Sequence, residues 1–411
     1  MTDAFVLGGV RTPVGRYAGS LSHLRVDDLL GQTMVAACER VGVALDRVED
    51  IAAGCVNPAH EGMGDVARWA ALAAGFPDSV PAITVNRFCA SSLSGAISIA
   101  HAVRSDELSI GLAAGVESMS RSGWALMKGD APFSPRGPVF MLDTMWAGAG
   151  GPPNPALLAR SAYVEMIKTA QNVADRYELT REEIDAFALR SQLKAAAARD
   201  SGRLAAEIHP VEIAATRRQP ARSFEHDESI RDTSAEQLAA LPPQPNTTQM
   251  TAGNSSPLSD GASAVLIASG AATEELSVEP LARIVSSATY ALDPQFMGIA
   301  PAFAIATALR RASLPPAEVD VWEVHEAFSA QALGVLRELP RQLDGFEIPD
   351  ERLNPNGGAV AIGHPFGSSG TRYVLTLATE LHLRKLRYGV LGVCVGSGQG
   401  VALVLENPAA A

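Results

Sequence analysis

The sequence predicts a layered α/β fold, and two observations carry that prediction. Short apolar runs alternate with helix-length amphipathic stretches through the first hundred residues, and the same alternation resumes at residue 262 after a polar, loop-rich interruption. A third observation is a repeat of pattern. A helical stretch preceded by Ser91-Ser92 leads into Ile110-Gly111-Leu112-Ala113-Ala114-Gly115, and another preceded by Ser368-Ser369 leads into Leu391-Gly392-Val393-Cys394-Val395-Gly396. Two halves built on one supersecondary plan would explain this, although small residues in strands also recur by chance.

Element by element, residues 4–10 read as a strand and 26–42 as a helix stopped by Gly42. Residues 51–56 read as a strand, 65–75 as a helix, 82–85 as a buried strand, 92–104 as a helix and 108–115 as a strand. The stretch 120–155 is rich in Gly, Pro, Met and Trp. Residues 156–202 are helical and charged, and 217–246 are polar with a cluster at Pro242, Pro243 and Pro245. Residues 120–250 therefore read as an inserted, loop-rich segment.

At 411 residues the chain exceeds what one hydrophobic core organises, so two or three units are expected. A formal net charge of −12 argues against a general nucleic-acid binder, which needs a basic surface. No apolar stretch is long enough to span a bilayer, and the start lacks the basic region and long apolar run of a signal peptide. The four cysteines form no CxxC pair, so neither a zinc knuckle nor a redox pair is indicated. So few thiols in so long a chain fit a reducing, cytoplasmic compartment.

Four segments could carry chemistry. In Asn86-Arg87-Phe88-Cys89-Ala90-Ser91-Ser92 an apolar strand runs into a helix, placing Cys89 at a helix N-terminus. Unpaired N–H groups and the helix dipole there are expected to favour a thiolate. A buried structural cysteine is the competing reading. In Ile362-Gly363-His364-Pro365-Phe366-Gly367 the flanking Gly and Pro suit a tight loop that aims an imidazole into a cleft. Histidine is the usual activator of a thiol, and a surface turn is the alternative. In Cys394-Val395-Gly396-Ser397-Gly398-Gln399-Gly400 a cysteine ends an apolar strand and enters a glycine run whose N–H groups could approach an oxyanion or a phosphate. A plain glycine-rich hairpin is also open. In Trp322-Glu323-Val324-His325-Glu326-Ala327-Phe328 the pair His325-Glu326 reads as a polar helix start after a short strand. Metal binding is not expected, because HExxH would need His at 329 and Ser stands there. Cys38, on an apolar helix face, and Cys55, at a strand end, read as structural.

These segments, in this order, resemble the thiolase family over the whole chain. Arg11-Thr12-Pro13-Val14-Gly15, Gly115-Val116-Glu117-Ser118-Met119-Ser120, Thr251-Ala252-Gly253-Asn254-Ser255-Ser256 and Asp260-Gly261-Ala262 add to the likeness, together with His325-Glu326-Ala327-Phe328, Gly363-His364-Pro365 and Cys394-Val395-Gly396. The resemblance implies a thiolase fold: two similar layered α/β domains with mixed five-stranded sheets plus an inserted loop domain. Its implied boundaries are 1–119 with 251–276, 120–250 for the coenzyme A-binding loop domain, and 277–411. It implies an acyl-CoA:acetyl-CoA acyltransferase that uses coenzyme A and acetyl-CoA as substrates, with no permanently bound cofactor and no metal. Cys89 would be the acylated nucleophile, His364 its activator, and Cys394 the acid/base at the α-carbon. His325 would hold a water that completes one oxyanion hole, and the N–H groups of Cys89 and Gly396 would form another. Ser256, Met166, Met297, Ala327 and Phe328 would line the coenzyme A tunnel. The family implies a homodimer or homotetramer and leaves open a complex with other β-oxidation enzymes. It implies no nucleic-acid partner and no membrane insertion.

Glu165 stands where many members carry His. His325, Pro257 and Phe366 look like the fatty-acid trifunctional-complex type, whereas the ending from Cys394 to Ala402 looks like the β-ketoadipyl-CoA type. The expected reaction is a reversible 3-ketoacyl-CoA thiolysis leaning towards breakdown, with acetoacetyl-CoA or β-ketoadipyl-CoA as alternative substrates. A decarboxylating ketoacyl synthase would lack a cysteine like Cys394. A non-catalytic acyl-CoA binder would have lost one of Cys89, His364 or Cys394. A cysteine hydrolase would have no use for the second thiol.

Overall fold

The computed structural model describes residues 2–58, 60–62, 64–126, 141–145, 154–215 and 220–410. Parts of the expected loop segment, 127–140, 146–153 and 216–219, lie outside the described residues. Numbered in chain order, the principal elements of the first half are β1 (Ala4–Arg11), α1 (Val26–Val41), β2 (Asp50–Gly54), α2 (Val66–Ala73), β3 (Ala82–Val85), α3 (Ser91–Arg104) and β4 (Ile110–Ser118). Then come α4 (Met166–Arg176), α5 (Arg181–Asp200) and β5 (Ser259–Ser269). The second half holds β6 (Ala282–Ala291), α6 (Ala300–Ala312), β7 (Val321–Val324), α7 (Ser329–Gln342), α8 (Phe366–Arg384), β8 (Tyr388–Val395) and β9 (Gln399–Glu406).

The strands form one ten-stranded sheet in the order β7-β8-β9-β6-β1-β5-β4-β2-β3, with the short strand Gly15–Arg16 added on β5. The two halves mirror one another about the β1–β6 contact. β4 pairs parallel with β2 and antiparallel with β5. β8 likewise pairs parallel with β7 and antiparallel with β9. The place of β3 in the second half is taken by a single parallel bridge, Trp322 to Leu353. The repeat in the sequence is thus a repeat of topology. The fifth strand of the second half shrinks to one residue, and β1 joins β6 antiparallel to make the two sheets continuous.

α3 and α8, the helices that follow the two Ser-Ser pairs or contain them, pack on one another across the halves. Small residues make that approach possible. A Cβ on Gly370 would lie 2.1 Å from the Leu93 nitrogen, and one on Gly115 would lie 2.2 Å from the Gly367 carbonyl oxygen. From Gly367 to Leu381 every residue of α8 is buried. Such an all-round buried helix ties both sheets into one core.

The helical prediction for 156–202 resolves into Pro155–Ala159, α4 and α5. Thr180 starts α5 with a reciprocal cap: its hydroxyl accepts from the Glu183 N–H and the Glu183 side chain accepts from the Thr180 N–H. Arg203, Glu207 and Asp227 are held to the core by buried ion pairs. Arg11 bonds Glu207 and Asp227, both at 2.7 Å, and Arg203 bridges Glu207 at 3.2 Å and Glu380 at 2.8 Å. Removing one member would leave a buried charge alone, which costs about 3–5 kcal/mol.

Two sequence expectations change. β3 is not buried: it is the last strand of its sheet, and Ile83 is 56% exposed. An apolar run alone does not tell a central strand from an edge. His325 and Glu326 do not open a helix either, because α7 begins at Ser329. Glu326 is buried, accepting from Ser191 Oγ and Asn354 Nδ2, both at 2.6 Å.

Candidate active site

Cys89 sits on a strained turn. Phe88 before it takes a left-handed conformation with φ 45°, which a bulky residue rarely adopts. The turn is closed by the Phe88 N–H to Asn86 Oδ1 at 3.0 Å and by the Ser91 hydroxyl, which donates to Phe88 O at 2.6 Å and accepts from the Arg87 N–H at 2.9 Å. The result puts Cys89 just ahead of α3, half-buried.

The electrostatics correct one expectation. Burial pushes the Cys89 thiol up to about 12, and the Glu117 carboxylate adds to the rise, while its own N–H and that of Gly396 act downward. Loss of water outweighs the helix N-terminus, so Cys89 rests as a thiol and needs a base. Its sulfur already faces the two N–H groups expected to bind an oxyanion.

His364 is fixed by its loop. Gly363 has φ 112°, the His364 N–H donates to Ser259 Oγ at 3.2 Å, and the ring Nδ1 lies 2.6 Å from Ser369 Oγ. The Ser369 hydroxyl donates its one hydrogen to Pro365 O at 2.9 Å. It must therefore accept from Nδ1–H, which leaves Nε2 as the basic nitrogen. Nε2 is buried with no partner among the described residues. Burial first, then His325 and Arg372, hold the imidazole well below its ordinary value, so it rests neutral.

Cys394 closes β8 and lies 3.4 Å from His325 Nδ1. Burial, and then the charge of an ionised Cys89, push its thiol well up, while its own N–H and that of Ala327 oppose the rise. The two sulfurs thus share one electrostatic neighbourhood. The rings of His325 and His364 meet edge to face with centroids 4.3 Å apart, and Phe366 packs edge-on against His364 at 4.9 Å. Burial, followed by Arg372, lowers His325 to about 3.

The expected tunnel residues gather around this group. Met297, Ala327 and Phe328 cluster with Cys394. The Ser256 N–H donates to Ala327 O at 3.0 Å. A Cβ at Gly396 would stand 3.7 Å from Met166 Sδ and 3.6 Å from the Phe88 ring. Glu165 is the exposed residue just ahead of α4. Among the described residues no group of three or more His, Cys, Asp or Glu could hold a metal ion, and no helix is long and apolar enough to cross a membrane.

Three contributors escaped the sequence reading. Ser369 was legible only as half of a Ser-Ser pair. Glu117, within the wholly buried β4, accepts from the N–H groups of Val56 at 3.0 Å, Asn57 at 2.9 Å and Gly367 at 2.8 Å, so it ties the exit of β2 to the start of α8. An acid inside an apolar run was the available signal. Arg372 is a buried cation on α8, set over the Tyr373 ring at 3.9 Å from its centroid.

A thiol at a helix start, a second thiol and two neutral imidazoles brought into one cluster have the chemistry to transfer an acyl group by way of a cysteine. The N-terminal thiolase domain model matches residues 4–271 and the C-terminal one matches 278–407, so the chain belongs to the thiolase family and is an acyltransferase acting on coenzyme A thioesters. It is 41% identical to a 3-oxoadipyl-CoA/3-oxo-5,6-dehydrosuberyl-CoA thiolase of Escherichia coli strain K12, over 99% of this chain and 100% of that one. It is 42% identical to a β-ketoadipyl-CoA thiolase of Pseudomonas aeruginosa, over 98% and 99% of the two chains. The fold superposes on human mitochondrial 3-ketoacyl-CoA thiolase with a TM-score of 0.90 at 33% identity, covering 99% of each chain.

Proposed function

We propose that this thiolase cleaves a 3-ketoacyl-CoA whose acyl part ends in a carboxylate, of the 3-oxoadipyl type, through an acyl-Cys89 intermediate. The observation that carries the reaction is the convergence of Cys89, His364, His325 and Cys394 in one buried site. The likeness to the 3-oxoadipyl and β-ketoadipyl thiolases supports the substrate class.

His364 Nε2 takes the Cys89 proton, and the thiolate attacks C3 of the substrate. The oxyanion formed there is held by the N–H groups of Cys89 and Gly396. One such donor is worth roughly 3–4 kcal/mol of barrier. Breaking the Cα–Cβ bond leaves an acetyl-CoA enolate whose oxygen is held by His364 and by a water on His325. Cys394 gives its proton to the α-carbon. In the second half, the Cys394 thiolate takes the proton of an incoming coenzyme A thiol, which attacks the acyl-cysteine. Cys89 leaves and recovers its proton from His364. A second acid/base separate from His364 is needed because two protons move at different atoms.

Ser256, Met166, Met297, Ala327 and Phe328 are proposed to line the pantetheine path, and residues 120–250 to form the loop domain that holds the nucleotide end. The core domains are then 1–119 with 251–276, and 277–411. The open edge of β3 with exposed Ile83 supports a homodimer formed there, or a tetramer built from it. A cytoplasmic site of action is proposed with this role. A second reading, a fatty-acid β-oxidation thiolase acting alone or in a complex, is favoured by His325, Pro257 and Phe366.

The deciding experiment compares thiolysis of 3-oxoadipyl-CoA with unsubstituted 3-ketoacyl-CoA esters from four to sixteen carbons, read as loss of 3-ketoacyl absorbance. A kcat/KM for 3-oxoadipyl-CoA at least about tenfold above every linear ester supports the proposal, a difference of about 1.4 kcal/mol. Preference for a long linear chain favours the second reading. No turnover of any ester would refute both.

A further inference from the structure

His325 lies within contact of Cys394 rather than only near the reacting carbonyl. Its Nδ1 is 3.4 Å from the Cys394 sulfur, within hydrogen-bond reach for a thiol or thiolate. The ring is held from behind: its backbone N–H donates to Gly392 O at 2.9 Å, and the Tyr373 ring meets it edge-on at 5.6 Å. The other nitrogen, Nε2, is buried without a protein partner among the described residues.

Other buried polar groups lie nearby on α8 and β7. From α8 come Arg372, whose Nε and Nη2 are buried without partners, and Tyr373, whose hydroxyl is likewise buried without one. Both can donate a hydrogen bond, and the guanidinium can only donate. Glu323, two residues earlier on β7, is buried with neither carboxyl oxygen partnered. Burial pushes that carboxyl up to about 8, which leaves it protonated at neutral pH. Cys89 and His364 face the cluster from the substrate side. A water that bonds a substrate oxygen with one hydrogen also needs an acceptor for the other. Nδ1 is the ring nitrogen that faces the Cys394 sulfur, and a hydrogen there lets the neutral imidazole donate to a thiolate while Nε2 stays able to accept from such a water.

We propose that His325 is a positioning residue for Cys394: a neutral imidazole whose Nδ1–H donates a fixed hydrogen bond to the Cys394 sulfur and stabilises its thiolate. This rests on the thiolase reading of the site and adds a role beyond holding an oxyanion water. When Cys394 gives its proton to the α-carbon, the S–H bond breaks, a C–H bond forms, and the negative charge left on sulfur falls on the Nδ1–H. Return of a proton from acetyl-CoA or from coenzyme A reverses the step. Burial, and then the nearby Arg372, keep the ring neutral, so His325 does not exchange protons itself. The site then holds two thiol–imidazole pairs of opposite kinds. His364 receives a proton from Cys89, and His325 lends a hydrogen bond to Cys394.

The test has two parts. The first is 15N NMR of wild-type protein labelled at histidine, with His325 assigned by comparison with His325→Asn. The expected spectrum shows Nδ1 protonated and Nε2 unprotonated between pH 6 and 8. A proton on Nε2 overturns the proposal, whatever the variants do. The second part follows exchange of the acetyl-CoA methyl hydrogens in deuterium oxide against pH. His325→Phe, which keeps a ring and loses the donor, is expected to slow exchange at pH 8 by about 10- to 100-fold, the worth of one hydrogen bond to a charged group. It should also move the rise of exchange with pH to higher pH by about one unit or more. His325→Asn, which keeps an N–H donor, should recover part of both. A slower rate with an unmoved pH profile would mean that the ring only packs or holds water, and would overturn the proposal. Cys394→Ala separates the failures. If that variant still exchanges, the reading of the site itself is wrong. If it is silent while His325→Phe exchanges like the wild type, only the role of His325 is wrong.

Discussion

Ser369→Ala tests how the nucleophile is switched on. The Ser369 hydroxyl spends its only hydrogen on Pro365 O and so obliges His364 to keep its proton at Nδ1, with Nε2 free to accept from Cys89. In the alanine variant that constraint is gone. The ring loses one hydrogen bond of 2.6 Å and can place its proton on Nε2, where it cannot serve as a base. A buried neutral hydrogen bond is worth about 0.5–1.5 kcal/mol, and an unsatisfied buried Nδ1 costs about 1–3 kcal/mol. Together, at about 1.5–4.5 kcal/mol, they predict a fall in kcat of about 10- to 2000-fold. Because Ser369 does not contact the pantetheine path, KM should stay within about threefold. The assay is steady-state thiolysis of 3-oxoadipyl-CoA, with rapid mixing to isolate acylation of Cys89. Ser369→Thr, which restores a hydroxyl, should recover most of the loss. A wild-type acylation rate in Ser369→Ala, or a loss that falls wholly on KM, would refute the tautomer argument.

Cys89→Ala should abolish acyl transfer, whereas Cys394→Ala should still load acyl groups onto Cys89 but lose carbon–carbon bond formation by at least about a thousandfold; radiolabelled acyl trapping and acetoacetyl-CoA synthesis separate the two. Glu117→Leu leaves the N–H groups of Val56, Asn57 and Gly367 without an acceptor and should destabilise the fold by about 3 kcal/mol or more, read by urea denaturation. Gly115→Ala, with its Cβ 2.2 Å from the Gly367 carbonyl oxygen, should cost about 1–3 kcal/mol or more and loosen the His364 loop, visible as a lower Tm. His325 and His364 are lowered in the fold, to about 3 and well below the ordinary value respectively. Their contribution to stability is therefore present above the unfolded value near 6.5 and is lost as pH falls from there towards 3. Glu323 and Glu117 are raised, to about 8 and about 7, so their contribution is present below about 4.5 and is lost as pH rises through those values. A denaturation series from pH 4 to 9 should show Glu323→Gln losing less stability than wild type between pH 5 and 9; an identical slope would refute it.

Much of this was readable from composition and order. Alternating apolar runs marked most of the strands and helices of the first half and the return of the pattern in the second, because backbone pairing and side-chain burial impose periods that survive in one dimension. The small-residue runs around Cys89, His364 and Cys394 marked tight turns, because few other residues allow the backbone to come so close. These local features, with the thiolase-like motifs in order, singled out Cys89, His364 and Cys394, which the fold brings into one neighbourhood. Tertiary structure alone decided the rest. The sequence near Cys89 argued for an acidic thiol, but burial raised it, since desolvation depends on atoms brought by distant segments, such as the one that carries the Gly396 N–H, rather than on neighbours in the chain. The same holds for the edge position of β3, for Glu117 gathering N–H groups from two halves, and for His325 meeting Cys394 across 69 residues. Which groups share a dielectric and a hydrogen bond is a property of packing, and packing is settled only when distant segments fold against one another.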